Sequence, residues 1–202
     1  QACELGEGLF VNNADRSYGF VDIIKKKIFL IKKNSSNYCV FDYPYIPSNI
    51  FYFDQDKITL LDDFGIADFY PKSKSIVRIY DSSKEFNLKG FRGNDGIKLG
   101  NNIFMFGSVH EKMPNENPGN VWFLKNKTLN NVSLNYIPNS FILMDEFILV
   151  ADSYKKIIYK HSARDGALID VWSDLSFHQG SPDGGCLGPD FNIYIAAWGA
   201  GS

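Results

Sequence analysis

Val21-Asp22-Ile23-Ile24-Lys25-Lys26-Lys27-Ile28-Phe29 is repeated, in altered form, as Ala151-Asp152-Ser153-Tyr154-Lys155-Lys156-Ile157-Ile158-Tyr159. In each copy an apolar run ends at an aspartate, lysines follow at a predicted turn, and a second apolar run begins. The copies start at residues 21 and 151, so they lie 130 residues apart. That offset equals three units of about 43 residues, a length at which four hairpin-linked strands form one blade of a β-propeller.

Other positions support the same period. The apolar centres Phe20, Ile66, Phe106, Val150 and Ile195 follow one another at gaps of 46, 40, 44 and 45 residues. Aromatic residues make up 15% of the chain, a share that favours pleated sheet over helix. We therefore predict an all-β fold, a β-propeller of four-stranded antiparallel blades.

The length of the chain fits that fold incompletely. At roughly 44 residues a blade, 202 residues provide about 4.6 blades, whereas a propeller closes on itself to protect its edge strands. Either the ring has few, irregular blades or the chain is part of a larger ring. Because the chain ends directly after a strong strand, at residues 198–202, we expect a single β-propeller domain over residues 1–202 that is incomplete at its C-terminus.

Composition narrows the classes of partner. A net charge of −2 and a pI near 5.9 disfavour binding to nucleic acid or to an acidic membrane surface. No apolar run reaches the ~18 residues of a membrane span. The three cysteines lack the spacing of a disulfide framework or a thiolate zinc site. We expect a cytoplasmic protein with a small-molecule partner, and the sequence leaves its oligomeric state open.

Four residues with oxygen-bearing side chains recur at the same period. Glu7, Asn94, Asn139 and Asp183 are separated by 87, 45 and 44 residues, and each lies in a short turn-like phrase ahead of an apolar run. Singly, they are ordinary turn or surface residues, since Asn-Asp-Gly and Pro-Asp-Gly are strong turn formers. Their common phase predicts that they face one another in a ring. Such oxygens suit one divalent ion, Ca²⁺, Mg²⁺, Mn²⁺ or Zn²⁺.

Other signatures of catalysis are missing. The sequence has no Gly-x-Ser-x-Gly elbow, Walker loop or His-Glu-x-x-His motif, and His110, His161 and His178 share no ligand spacing. Asp22 and Asp152, which also share a phase, are predicted to orient backbone amides at strand ends. The lysines after them are predicted to occupy solvated hairpin turns.

A series of short phrases runs in order along the whole chain: Leu5-Gly6-Glu7-Gly8, Gly19-Phe20-Val21-Asp22-Ile23, Arg92-Gly93-Asn94-Asp95-Gly96, Phe106-Gly107-Ser108-Val109, Asn139, Val150-Ala151-Asp152-Ser153, Pro182-Asp183-Gly184 and Ala197-Trp198-Gly199. In these phrases the chain resembles the family of SMP-30, gluconolactonase and regucalcin. Members of that family are six-bladed propellers with a divalent metal at one mouth of the central channel, and many hydrolyse sugar lactones. The family's chains are longer at the C-terminus by about one and a half blades.

The resemblance assigns roles to the phased residues. It implies that Glu7, Asn139 and Asp183 are metal ligands and that Asp183 is also the catalytic acid and base. Asn94 is expected beside the metal, in contact with it or with the substrate. Arg92 is expected to bind the substrate, with a surface position on a hairpin as the alternative.

One further substrate contact is ambiguous. The family often places an acidic residue soon after the phrase that corresponds to Gly107-Ser108-Val109. Strict register puts Lys112 at that position, with Glu111 one residue earlier. We predict Glu111 as the substrate-binding residue, and Lys112 stays as the alternative.

Three hypotheses for function follow. The first is metal-dependent hydrolysis of a sugar lactone to its aldonic acid. The second is a calcium-binding or ligand-binding propeller without turnover, since the same cluster can hold an ion structurally. The third is that the chain is inactive on its own because missing blades leave the channel open.

Overall fold

The computed structural model describes residues 3–32, 38–86 and 89–201, apart from the side chains of residues 133 and 134. Its secondary structure is dominated by antiparallel β-strands. The chain forms two compact units, Gln1–Gly93 and Asn94–Ser202. Within the described residues no helix is long and apolar enough to span a membrane.

The first unit contains two four-stranded sheets, and in each the strands follow one another in chain order. The strands are β1 (Gly6–Asn12), β2 (Ser17–Asp22), β3 (Lys27–Ile31), β4 (Tyr38–Asp42), β5 (Asn49–Phe53), β6 (Ile58–Asp62), β7 (Gly65–Tyr70) and β8 (Ser75–Asp81).

The second unit contains two more sheets of four strands in chain order and a two-stranded sheet, β17–β18. Its first strand starts just before the boundary between the units. The strands are β9 (Phe91–Gly100), β10 (Ile103–His110), β11 (Gly119–Lys125), β12 (Thr128–Tyr136), β13 (Pro138–Met144), β14 (Phe147–Asp152), β15 (Ile157–Ser162), β16 (Leu168–Asp174), β17 (Ser181–Leu187) and β18 (Ile193–Trp198).

The two copies of the repeated sequence form equivalent hairpins in two different sheets. β2 ends at Asp22 and β14 ends at Asp152, and the last turn residues, Lys26 and Lys156, have left-handed φ angles of 52° and 57°. The prediction that these lysines lie in hairpin turns is therefore confirmed. Four-stranded antiparallel blades, as predicted from the 43-residue period, are confirmed as well.

The two aspartates at the ends of these strands make equivalent hydrogen bonds. Asp22 accepts hydrogen bonds from the backbone N–H groups of Glu4 (2.9 Å) and Lys25 (3.0 Å). Asp152 accepts from those of Ile137 (3.2 Å) and Tyr154 (3.0 Å). Each carboxylate thus ties the chain entering its sheet to the following turn, as the sequence predicted.

The core consists of apolar faces pressed between neighbouring sheets. In the first unit β1 and β2 pack against β5, and all five residues of β6 are buried. In the second unit β10 packs against β13, and β13 packs against β17. β1 and β5, and likewise β13 and β17, are first strands of neighbouring sheets, and the members of each pair lie against one another. This packing positions the site.

Candidate functional site

All four phased residues lie in the first strand of a sheet. Glu7 is in β1, Asn94 in β9, Asn139 in β13 and Asp183 in β17. The expectation that they occupy turns ahead of the strands is wrong. The polar, glycine-rich segments that suggested turns are parts of strands. β-Bulges interrupt these strands around Glu7, Asn139 and Asp183.

The bulges give Glu7 and Asn139 the same local structure. Each pairs with the second strand of its sheet, and the register shifts immediately after it. The next residue has a left-handed backbone in both cases, with φ of 63° at Gly8 and 54° at Ser140. A bulge of this kind turns a side chain away from the regular alternation of a strand. The two residues are therefore structurally equivalent, as their common phase predicted.

Asn94 and Asn139 are joined directly. Nδ2 of Asn94 donates to Oδ1 of Asn139 and to the carbonyl oxygen of Pro138, each at 2.9 Å. Because both partners are acceptors, it is the NH₂ end of the Asn94 amide that faces β13. Oδ1 of Asn139 keeps a second lone pair beyond the one that Asn94 uses, and that lone pair can serve a cation.

Two serines connect Asn139 to the segment that carries Asp183. The hydroxyl of Ser153 accepts a hydrogen bond from Nδ2 of Asn139 at 2.8 Å and donates to the carbonyl oxygen of Pro182 at 2.5 Å. The hydroxyl of Ser140 donates to the carbonyl oxygen of Asp183. The structure therefore brings Asn94, Asn139 and the backbone of Asp183 into one hydrogen-bonded network across three sheets.

The ionised forms of two acids in this region are disfavoured in the metal-free protein. Burial raises the pKa of Asp183, against a weaker opposing effect from the N–H of Gly184. Burial, together with the nearby charge of Asp183, raises the pKa of Asp95 to about 6, although backbone N–H groups, those of Ser140 and Phe141 among them, oppose the shift. Among the described residues, no Lys or Arg contributes to the pKa shift of Asp183. A divalent cation placed between such groups would stabilise their ionised forms.

The donor set therefore fits a hard cation. Amide and carboxylate oxygens are the ligands that Ca²⁺ and Mg²⁺ prefer. Within the described chain, no three His, Cys, Asp or Glu side chains form a metal-binding group.

The remaining predicted residues lie elsewhere in the chain. Glu7 and Arg92 belong to the first unit, where Nη1 of Arg92 donates to the carbonyl oxygen of Gly93 at 2.8 Å. Glu111 and Lys112 are exposed in the loop after β10. Their places in a common site stay predictions.

Sequence reasoning assigned no role to Asp95, Ser140 or Ser153. Asp95 follows Asn94, Ser140 follows Asn139, and Ser153 closes the phrase that begins at Val150. The available signal was adjacency to a phased residue. It was not sufficient, because Ser140 and Ser153 also bond to the backbone of another sheet, at Asp183 and Pro182.

The chain has clear similarity to known proteins. A family model described as SMP-30/gluconolactonase/LRE-like region matches residues 5–202. The structure of a calcium-binding protein, regucalcin, from Agrobacterium tumefaciens superimposes with a TM-score of 0.86 at 19% identity and covers 98% of this chain and 69% of that chain. A luciferin-regenerating enzyme gives a TM-score of 0.85 at 18% identity, with 96% and 69% covered.

A gluconolactonase from Xanthomonas campestris is similar as well, with a TM-score of 0.75 at 15% identity and coverage of 96% of this chain and 70% of that chain. No curated protein sequence matches the chain. Identities this low establish the fold alone, and that fold is the predicted β-propeller.

Proposed function

The chain belongs to the SMP-30/gluconolactonase/LRE-like family, and from that membership we propose that it hydrolyses a sugar lactone to the aldonic acid with one divalent metal ion. The observation that carries the proposal is the network of Asn94, Asn139 and the Asp183 segment, in which burial raises the pKa of the acid. A gluconolactonase among the similar structures supports the choice of substrate class.

Asn139 and Asp183 would hold the ion through their side-chain oxygens, with Glu7 as the third ligand. Ca²⁺, Mg²⁺, Mn²⁺ and Zn²⁺ are all candidates. When bound, the ion would polarise the lactone carbonyl and stabilise the negative charge that develops on its oxygen, a contribution of several kcal/mol in such sites.

Asp183 would act as the general base and then as the general acid. Its carboxylate accepts a proton from the attacking water as the water oxygen bonds to the carbonyl carbon. The bond from that carbon to the ring oxygen then breaks, and Asp183 returns the proton to the ring oxygen. In the metal-free protein burial raises the pKa of Asp183, and a bound cation would lower it again, so the carboxylate would be ionised and able to accept that proton. A positioned acid or base of this kind contributes about 10²- to 10⁴-fold.

The other predicted residues would orient the sugar. Asn94 would contact a substrate hydroxyl or the ion, depending on where Oδ1 points in the loaded site. Arg92 and Glu111 would hydrogen-bond hydroxyl groups of the substrate, and Lys112 is the alternative at the second of these positions. A cytoplasmic location and the absence of nucleic-acid and membrane partners remain predictions from composition.

A binding protein without turnover is the second candidate. It is favoured by the fold similarity to a regucalcin described as calcium-binding. The same oxygen cluster would then bind Ca²⁺ for stability or buffering, and no proton transfer by Asp183 would be needed.

An assay of gluconolactone hydrolysis distinguishes the lactonase from the binding protein. Metal-free protein is assayed before and after addition of Mn²⁺, Zn²⁺, Mg²⁺ or Ca²⁺, and Asp183→Asn is compared with Asp145→Asn. Asp145 is an exposed turn residue with a φ of 51°, a conformation that asparagine tolerates well. We expect metal-stimulated turnover that falls at least 10²-fold in Asp183→Asn and is unchanged in the control. Metal binding without metal-stimulated hydrolysis would favour the binding protein.

A further inference from the structure

Ser153 occupies the turn that follows β14, and its hydroxyl group has two partners. It accepts a hydrogen bond from Nδ2 of Asn139 at 2.8 Å and lies 2.5 Å from the carbonyl oxygen of Pro182. A hydroxyl carries one hydrogen, and a carbonyl oxygen can only accept. The direction of both bonds is therefore fixed: the O–H group donates to Pro182, and a lone pair receives Asn139.

The first bond determines how Asn139 presents its amide. With Nδ2 held by Ser153, Oδ1 is turned to the other side, where Nδ2 of Asn94 donates to it. The terminal torsion of asparagine is broad, so an amide without such partners samples both orientations. An inverted amide would offer N–H groups to a cation, and these repel it.

The second bond acts on Asp183. The Pro182 carbonyl belongs to the peptide unit that leads into Asp183, and the carbonyl of Asp183 itself accepts from Ser140. Hydrogen bonds on both sides of the residue restrict its backbone, and thus the direction in which the carboxylate leaves the strand. Ser153 hydrogen-bonds both to this backbone and to the amide of Asn139, so it connects the two.

We propose that Ser153 is a positioning residue that sets the orientation of Asn139 and Asp183 together for cation binding. The inference rests on the proposed function only in assuming that these two residues bind the ion. Ser153 itself touches neither ion nor substrate. Groups that orient ligands in this way are typically worth about 10- to 100-fold in metal affinity.

The test is the affinity of the metal-free protein for Mn²⁺, measured by isothermal titration calorimetry. Ser153→Ala removes the hydroxyl, and Ser153→Thr keeps it. The matched control is Ser162→Ala, because Ser162 lies at the opposite end of the β14–β15 ladder, where its hydroxyl accepts from the N–H of Arg164 at 3.3 Å. Thermal denaturation of all four proteins without metal establishes that each is folded.

We expect Ser153→Ala to weaken Mn²⁺ binding about 10- to 100-fold, with Ser153→Thr and Ser162→Ala within about 3-fold of the parent. A lowered Tm in Ser153→Ala with unchanged Mn²⁺ affinity would overturn the inference, since it would make Ser153 merely structural. Equal loss of affinity in Ser153→Thr would overturn it too, as would the absence of any Mn²⁺ binding to the parent protein.

Failure of the inference and failure of the proposed function give different results. If the parent protein binds Mn²⁺ but does not hydrolyse gluconolactone, the lactonase proposal fails and the affinities still decide the part played by Ser153. If the parent binds and hydrolyses and Ser153→Ala retains full affinity, only the inference fails.

Discussion

The amide of Asn94 donates a hydrogen bond to the amide oxygen of Asn139 at 2.9 Å, between first strands of two neighbouring sheets. The two residues are 45 positions apart in the chain, the length of one blade. The first strands of two successive repeat units therefore meet at these side chains, and each amide helps to fix the orientation of the other.

Asn94→Asp tests this contact. The substitution replaces the Nδ2 donor by an oxygen, so three acceptors then face one another without a hydrogen between them. We expect the free energy of unfolding of the metal-free protein to fall by about 1–3 kcal/mol at pH 7. Urea denaturation measures it. Asn130→Asp, an exposed position on β12, serves as the control and is expected within about 0.5 kcal/mol of the parent.

Gly8 follows Glu7 and is predicted to be irreplaceable. Its φ is 63°, and a Cβ there would lie 2.6 Å from the Cα of Asn49 and 2.7 Å from the carbonyl oxygen of Ser48. Gly199 has a φ of 82° but nothing within 4 Å of the same position. Gly8→Ala and Gly199→Ala therefore share the backbone penalty of about 1 kcal/mol, and only Gly8→Ala must also displace backbone.

We expect Gly8→Ala to lower the free energy of unfolding by at least about 2 kcal/mol more than Gly199→Ala. Chemical denaturation of the two variants provides the comparison. Equal losses would mean that β1 and β5 are not as close as the structure places them.

A buried ion pair in the first unit gives a third prediction. The Asp62 side chain is fully buried, with Oδ1 2.7 Å from Nη1 of Arg78 and Oδ2 accepting from the hydroxyl of Tyr43 at 2.6 Å. Burial raises the pKa of Asp62 even beside this cation, so its ionised form depends on Arg78. We expect Arg78→Met to destabilise the protein by about 3–5 kcal/mol.

The comparison is Lys72→Met, which breaks the exposed pair with Asp56 at 2.9 Å and is expected to cost less than about 1 kcal/mol. Thermal denaturation monitored by circular dichroism reports both. Adding Asp62→Asn to Arg78→Met should restore part of the loss, because no buried charge is then left without a partner. An additive double variant would contradict this explanation.

His161 should make stability fall in acid. It is fully buried, and Nδ1 lies 2.9 Å from the carbonyl oxygen of Gly166, while Nε2 has no partner among the described residues. Burial lowers its pKa below the ordinary 6.5. The unfolded chain therefore binds the proton more readily, so this contribution to stability is complete above pH ~6.5 and is lost as the pH falls below it.

The slope of unfolding free energy against pH between 5 and 7 measures the effect. His161→Asn cannot titrate, and we expect a smaller slope in that variant, whereas His178→Asn, at an exposed position, should keep the slope of the parent. An unchanged slope in His161→Asn would show that other groups cause the acid sensitivity.

The repeat could be predicted from sequence because its signal is local. Asp22 and Asp152 accept hydrogen bonds from backbone groups of their own hairpins, so the short sequence around each is sufficient to specify the turn. Similar short-range bonds follow several other strands, at Asp62, Asp81 and Asp174.

The first strands and the network around Asp183 were harder to predict. Gly8 and Ser140 sit at bulges with left-handed backbones, and the residues that permit such conformations are those that also form turns. The hydroxyls of Ser140 and Ser153 reach backbone that is 43 and 29 residues away. A single sequence carries no direct sign of contacts at that distance.

The proposed lactonase site requires that Asn139 and Asp183 bind one cation. The most direct measurement is anomalous X-ray diffraction from crystals of the protein soaked in Mn²⁺. We expect one strong anomalous peak about 2.0–2.6 Å from Oδ1 of Asn139 and from a carboxylate oxygen of Asp183. A peak bound to other residues only, or none at all from a protein that is folded in the crystal, would contradict it.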